Sequence, residues 1–469
     1  MDTHRARALV ENTWEGSIIP TLSDYIRIPN KSPAFDPGWS EHGHMEKAVE
    51  LLKNWCEQQP IENMAIEIVR LSGRTPVLFI QIDGATDDSV LLYGHYDKQP
   101  EFSGWADGLQ PWVPVRRDGK LYGRGGADDG YAVFSSLTAI RTLQEQGIPH
   151  GRCVILIEGC EESGSFDLPF YVEALKARMG SPSLVVCLDA ECGDYDRLWC
   201  TTSLRGNLVG VLKAQVLTEG VHSGLASGIA PSSFRVIRSL LSRLEDETTG
   251  AVNKALWATI PEARIEQARA AAKLLGAGVV ERIPWAPGMG PVSDDPVELL
   301  LNSTWRPTLC VTGAAGLPSL DHAGNTLRPM TAVKLSFRLP PGKDPDEAAA
   351  TVTRLLTENP PYGARVSFQV ESAAAGWDAP PIAAWLADSM SRASREFFSA
   401  EVAYMGTGGT IPFMPMLGEA FPGVQFIVTG VLGPKSNAHG PNEFLHLATA
   451  KKLTGCVAHI LADHARRQP

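Results

Sequence analysis

Basic residues are in short supply in this chain. Its 469 residues include 42 Lys and Arg against 53 Asp and Glu, a formal charge of −11. A nucleic-acid partner is disfavoured, because phosphate binding needs a basic face. A small anionic substrate held by one or two local arginines is not excluded. Long apolar runs are also missing. No stretch approaches the ~18 apolar residues of a membrane span, so no membrane association is expected. The N-terminal MDTHRARALVENTWEG is polar and has no apolar signal-peptide core, so a cytoplasmic location is expected. The eight cysteines (Cys56, Cys153, Cys160, Cys187, Cys192, Cys200, Cys310 and Cys456) include no C-x-x-C pair. That argues against zinc ribbons and thioredoxin-like chemistry. Cys153 and Cys187 sit within apolar runs and read as buried, reduced thiols. Internal repeats and low-complexity tracts are absent.

What is present reads as a soluble globular enzyme of two domains. Hydrophobic residues make up 44% and charged residues 20% of the chain, ordinary values for a folded protein, and the length exceeds one simple core. Helical spacing runs over residues 4–28 and 45–58. Short apolar runs that end on Gly or Asp follow at 76–82, 90–94, 153–159 and 183–189, with helices predicted at 131–147 and 167–178. Near-continuous apolar strands between helices indicate an α/β sheet buried on both faces. After about residue 207 the pattern changes. Strands at 209–217, 331–341 and 365–372 and helices at 231–246 and 345–358 form a different block. The first pattern returns near Pro380, with a helix to Phe397, a strand at 424–430 and a last helix at 448–464. One catalytic domain split by an inserted domain accounts for this order.

Three stretches concentrate chemistry where such a sheet presents it, on loops at the carboxyl ends of strands. YGHYDKQP carries His95 and Asp97, GRGGADDG carries Asp128 and Asp129, and EGCEESGS carries Glu161 and Glu162. Taken singly, each has a plain structural reading. His95 can be a strand-end residue in a solvated loop, Asp128 and Asp129 a helix cap, and Glu161 and Glu162 an acidic turn. Asp189, at the end of SLVVCLD, and His439, in SNAHGPNE, read equally well as turn and loop residues. The set reads differently. Two His and three Asp or Glu at the strand ends of one sheet satisfy two metals that share a bridging carboxylate. Adjacent acids such as Glu161 and Glu162 repel when both are ionised unless a cation compensates. A His with several carboxylates, and no C-x-x-C pair, points to a hydrolytic rather than a structural metal site.

With these residues in place, the chain resembles the dizinc metallopeptidase family of carnosinase, glutamate carboxypeptidase, aminoacylase and succinyl-diaminopimelate desuccinylase. Its layout is most similar to the carnosinase-type dipeptidases. The matching stretches are YGHYDKQP, DGKLYGRGGADDG, EGCEESGS, LDAE, LRG at 204–206, HSG at 222–224, SFRLPP, GGTIP at 408–412 and AHGPNE, in family order over nearly the whole chain. The resemblance implies a catalytic α/β domain with a mixed, mainly parallel sheet flanked by helices, over residues 1–207 and 379–469. An inserted α+β lid or dimerisation domain over 208–378 would interrupt it. By position, His95, Asp128 and Asp189 would hold one zinc and Asp128, Glu162 and His439 the other, with manganese or cobalt also suited to these ligands. Asp97 would orient His95. Glu161 would be the general base for a metal-bridging water that attacks an amide. His222 would stabilise the oxyanion from a second subunit of a homodimer. Asn325 and Arg338 would take the substrate carboxylate, with Gly409 and Thr410 cradling the substrate.

The implied activity is hydrolysis of a small peptide with a free carboxylate. The alternative is deacylation of an N-acyl amino acid at the same site. Two departures bear on this choice. Tyr131 follows Asp128-Asp129-Gly130 where relatives carry Asp-Asp-Lys-Gly, and Thr407 stands where carnosinase-type relatives carry an acid before Gly-Gly. Loss of that acid leaves room for an N-acylated substrate, whereas the long lid favours a dipeptidase. A catalytically silent binding protein is a third reading, and retention of Glu161 beside the full ligand set argues against it.

Overall fold

Six strands form a mixed sheet in the computed structural model, which describes residues 1–411 and 413–467. Their order is Met64–Val69, Val77–Ile82, Gly151–Glu158, Thr86–His95, Pro182–Cys187 and Gln425–Val428. The last four run parallel, and the first two are joined on antiparallel. Parallel pairing puts the carboxyl ends of four strands on one edge. The central strands are buried at nearly every position, as expected where helices cover both faces. Helices Ala132–Gln144 and Leu447–Arg466 pack on these strands and on each other. The N-terminal helical segment runs from Thr3 to Ile26 through a wider turn at Trp14–Ile18. Trp14 is fully buried, and its indole N–H donates to Thr454 Oγ1 at 3.2 Å.

Sequence periodicity does not single out strand Met64–Val69. It alternates exposure at the sheet margin, with Ile68 its one buried residue, so its signal is weak beside the inner runs. The strand expected at 183–189 stops at Cys187, which leaves Asp189 in the loop beyond.

The chain divides into two compact units. The first comprises Met1–Thr202, Ala379–Met405 and the residues from Met416 onward, and the second comprises Ser203–Asp378 and Gly406–Pro415. The second unit thus begins a few residues before the expected 207/208 boundary and also takes in the glycine-rich segment. Pro412 of that segment lies outside the described residues. The second unit carries an antiparallel sheet in the order Thr308–Ala315, Met330–Leu339, Gly206–Gln215 and Arg365–Ala374. Strand Gly206–Gln215 alternates buried and partly exposed residues, as a sheet with one covered face does. Helices Ser233–Leu241 and Pro345–Thr357 supply Val236, Leu240, Val352 and Leu356 to a core with Leu208, Leu212, Leu335 and Phe337. Strand Thr308–Ala315 was not anticipated. It is mostly exposed and carries small and polar residues at an edge.

Gly94 shows how tightly the sheet meets the turn before helix Ala132–Gln144. A Cβ there would lie 2.6 Å from both Ala132 Cβ and Asp129 Oδ2. Gly94→Ala should lower stability by roughly 1–3 kcal/mol, the usual cost of overpacking. Denaturant unfolding of the metal-free protein measures this directly, and an unchanged midpoint would contradict the packing described.

Candidate metal centre

His95 is the last residue of strand Thr86–His95 and is buried. Its backbone N–H donates to Asp129 Oδ2 at 3.2 Å, and its Nδ1 lies 3.1 Å from the Asp97 carbonyl and 3.3 Å from Asp97 Oδ1. The other ring nitrogen, Nε2, faces Asp128 Oδ1 at 3.2 Å and Asp189 Oδ2 at 3.8 Å. Asp97 is fully buried, and each of its oxygens accepts a backbone N–H, from Glu161 at 3.1 Å and from Glu162 at 3.0 Å. One carboxylate therefore orients both the imidazole and the acidic turn. Asp128 arises from the turn Gly126–Gly130, whose preceding Gly125 has φ +79°. The Asp128–Asp129 peptide bond is cis. His439 Nε2 lies 3.0 Å from Asp128 Oδ2 and 3.1 Å from Glu162 Oε2. Gln99 Nε2 donates to the same Glu162 oxygen at 2.6 Å.

The six residues His95, Asp128, Glu161, Glu162, Asp189 and His439 thus come from one strand end and four further turns or loops to one sheet edge. Ligand atoms of His95, Glu161 and Asp189 lie within 4.8 Å of one another, as do those of His95, Asp128 and Glu162. His95 belongs to both groups, and Glu161 falls within the first of them. His439 faces the Asp128 and Glu162 carboxylates.

Crowding of like charges in a buried place governs the protonation of these groups. Burial, reinforced by Asp189, Glu162 and Asp97, pushes the Glu161 carboxyl well above its ordinary range, with His95 pulling the other way. Asp189 is pushed up to about 7 by burial and by Asp128 and Glu162, against the pull of His95 and His439. Glu158 lies behind the site and accepts from Tyr93 Oη at 2.6 Å and Ser165 Oγ at 2.8 Å. Burial and Asp97 push it up to about 7 despite those bonds. Burial also raises Asp128, but hydrogen bonds from His439 and His95 prevail and hold it well below the carboxylate range. The His439 side chain is more than half exposed; desolvation of its ring beside the carboxylates disfavours charge, yet Glu162 and Asp128 outweigh it and raise the imidazole to about 11. Two buried oxygens, Glu162 Oε1 and Asp129 Oδ1, have no hydrogen-bond partner among the described residues. Unpartnered carboxylate oxygens amid excess negative charge suit divalent cations, and the oxygen and nitrogen donors suit zinc, manganese or cobalt.

The remaining candidates lie in the second unit, in two places. His222 pairs with Thr326 on a two-stranded ribbon, and Ser223 N–H donates to the Asn325 carbonyl at 2.9 Å, so His222 and Asn325 are near neighbours. Both are exposed. Arg338, at the end of strand Met330–Leu339, donates to Thr410 Oγ1 at 3.1 Å, and Thr410 Oγ1 donates to the Arg205 carbonyl at 2.6 Å. A Cβ on Gly409 would meet nothing within 4 Å. Sequence reasoning overlooked Arg205, a buried guanidinium in the LRG stretch that reaches the Gly408 carbonyl. It also overlooked Gln99, Arg124, Glu158 and Glu443 around the candidate metal centre. Their signal was available only as membership of the same short motifs.

The model of peptidase family M20/M25/M40 matches residues 91–463. Cysteinylglycine-S-conjugate dipeptidase of Corynebacterium striatum is 28% identical over 461 residues, which cover 92% of this chain and 96% of that protein. Beta-Ala-His dipeptidase of Homo sapiens is 27% identical over 371 residues, 73% of this chain and 69% of that one. Among solved structures, human carnosine dipeptidase 1 superposes with a TM-score of 0.78 at 20% identity, covering 99% of this chain and 100% of that one. The dipeptidase Dug1p from Saccharomyces cerevisiae gives 0.79 at 18% identity, covering 100% of this chain and 99% of that one. These structural likenesses establish the fold.

The raised carboxyls have a consequence for stability. Asp189 and Glu158 bind a proton up to about pH 7 when folded, against roughly pH 4 when unfolded. The folded state therefore holds more protons across that window. Their stabilising contribution is full below about pH 4 and is lost as the pH rises through about 7. The raised imidazoles act in the same direction at higher pH. Metal-free protein should melt at a lower temperature at about pH 8 than at about pH 5, and added divalent cation should reverse the loss. Thermal melts at the two pH values, with and without metal, test this. A metal-free Tm that holds or rises toward pH 8 would contradict it.

Proposed function

This chain belongs to peptidase family M20/M25/M40 and is a metallohydrolase of that family, and we propose that it hydrolyses dipeptides carrying a free carboxylate. The convergence of His95, Asp128, Glu161, Glu162, Asp189 and His439 at one sheet edge is the observation that carries this reading. The names of the dipeptidase relatives of Corynebacterium striatum and Homo sapiens support it.

In this reading His95, Asp128 and Asp189 would hold one divalent cation and Asp128, Glu162 and His439 the other, and the cations would be zinc. When bound, such ions act as Lewis acids and lower the pKa of water. The protein's own groups then divide the remaining work. Asp97 takes the Nδ1 side of His95 and leaves Nε2 directed at Asp128 and Asp189. Its two bonds to the Glu161 and Glu162 N–H groups fix the acidic turn. Glu161 accepts a proton from the attacking water and returns it to the leaving nitrogen. A carboxyl with a raised pKa suits both transfers. Arg338 and Asn325 read the substrate carboxylate, the guanidinium through its fork of donors. Gly409 and Thr410 line the substrate's path, and His222 of a second subunit steadies the oxyanion in a homodimer. The protein works in the cytoplasm.

Two experiments test this. Zinc-loaded protein should cleave free dipeptides and lose that activity on chelation. Cleavage confined to N-acetyl and longer N-acyl amino acids would make it a deacylase and give weight to Thr407. Glu161→Gln should lower kcat by about 10²–10⁴-fold and still bind two metals. Undiminished turnover in that variant would overturn the assignment of the base.

A further inference from the structure

Arg124 and Glu443 are both buried, at 1% and 0% exposure, and lie far apart in sequence. Arg124 Nη1 meets Glu443 Oε2 at 2.6 Å, Nη2 donates to the Gly440 carbonyl at 2.6 Å, and Nε donates to the Pro100 carbonyl at 3.1 Å. The other Glu443 oxygen accepts the N–H groups of Gly125 at 3.0 Å and Ala127 at 3.3 Å. One ion pair thus ties together three loops. These are the loop after His95, the turn that presents Asp128, and the loop that presents His439.

The His439 loop has particular need of such a tie. Lys435, Asn437, His439 and Asn442 all have positive φ, from +55° to +64°. Such conformations cost non-glycine residues energy and persist where the surroundings impose them. The His439 side chain is also more than half exposed, so core packing does not fix its position. A buried ion pair is itself weak evidence of stability, since apolar replacements of similar size are often neutral. Its value here lies in where its bonds go.

We propose that Arg124 and Glu443 form a positioning pair that sets His439 against Asp128 and Glu162, and so controls the affinity of the His439-side cation more strongly than that of the cation on the His95–Asp189 side, which keeps two ligands outside the segments the pair joins to His439. Neither residue touches substrate or reacting atoms. This inference rests on the dinuclear reading above.

Metal-free protein titrated with Co²⁺, followed by calorimetry and visible absorption, separates the possibilities. Removing one partner alone would strand a buried charge, so the principal variant is the double change Arg124→Met with Glu443→Leu. Arg124→Lys is a second variant that keeps the charge balanced but offers one nitrogen for three acceptors. A cooperative melt establishes that each variant is folded. We expect one Co²⁺ to be weakened about 10–100-fold, the usual effect of losing groups that orient metal ligands, and the other clearly less. The absorption spectrum should shift in the same direction as that of His439→Ala. Adding His439→Ala to the double variant should cost less than His439→Ala costs the wild-type protein, because the two changes act on the same ligand. Two sites at wild-type affinity in the folded variants, or equal weakening of both, would overturn the proposal. A wild-type protein that binds fewer than two Co²⁺ would overturn the dinuclear reading, and this inference with it.

Discussion

Repulsion among buried carboxylates is the constraint on which this structure turns. Asp97, Asp128, Asp129, Glu158, Glu161, Glu162 and Asp189 gather around His95 at one edge of the sheet. Charges taken out of water must be neutralised, hydrogen-bonded or paired. The protein uses all three means. Asp97 takes two backbone N–H groups and Asp129 takes one. Asp189 and Glu158 are pushed up to about 7, so each is protonated part of the time near neutral pH. Asp128 is paired with two imidazoles. The Glu162 oxygen without a partner among the described residues marks where these means run out and a cation would complete the balance.

The fold makes this concentration of charge tolerable by confining it to one place. Parallel strands end together, so four loops meet at the same edge, while the apolar strand interiors stay away from the polar cluster. Gly94 and Gly125 allow the chain to pass close beside the site, against Asp129 and against the buried Lys98. The Arg124–Glu443 pair joins three of the loops from behind. Two of the candidate ligands are each supported by a second group, Asp97 behind His95 and Gln99 beside Glu162. Such support is what distinguishes a metal site from a chance meeting of acids.

Much of the site was legible because its residues break strong patterns. His95, Glu161, Glu162 and Asp189 are polar residues placed at or just beyond the ends of apolar runs, and Asp128 sits in a glycine-rich turn before a helix. Periodicity also located the inner strands, whose ends differ from expectation by only a few residues. What escaped was pairing between distant parts of the chain. Arg124 and Glu443 both lie in motifs that attract attention for other residues, and nothing local couples positions 319 apart in sequence. Edge strands Met64–Val69 and Thr308–Ala315 escaped because half-exposed strands carry mixed composition. The grouping of Gly406–Pro415 with the second unit could not be read from so short a segment. Glu158 reads as the end of a strand, and its role behind the site depends on Tyr93 and Ser165 reaching it in space.

The most direct test of this account is a crystal structure of the zinc-loaded protein, with anomalous differences collected at the zinc edge. Two peaks should appear at the strand ends, one among His95, Asp128 and Asp189 and one among Asp128, Glu162 and His439. A single peak, a peak elsewhere, or zinc held without these side chains would contradict it.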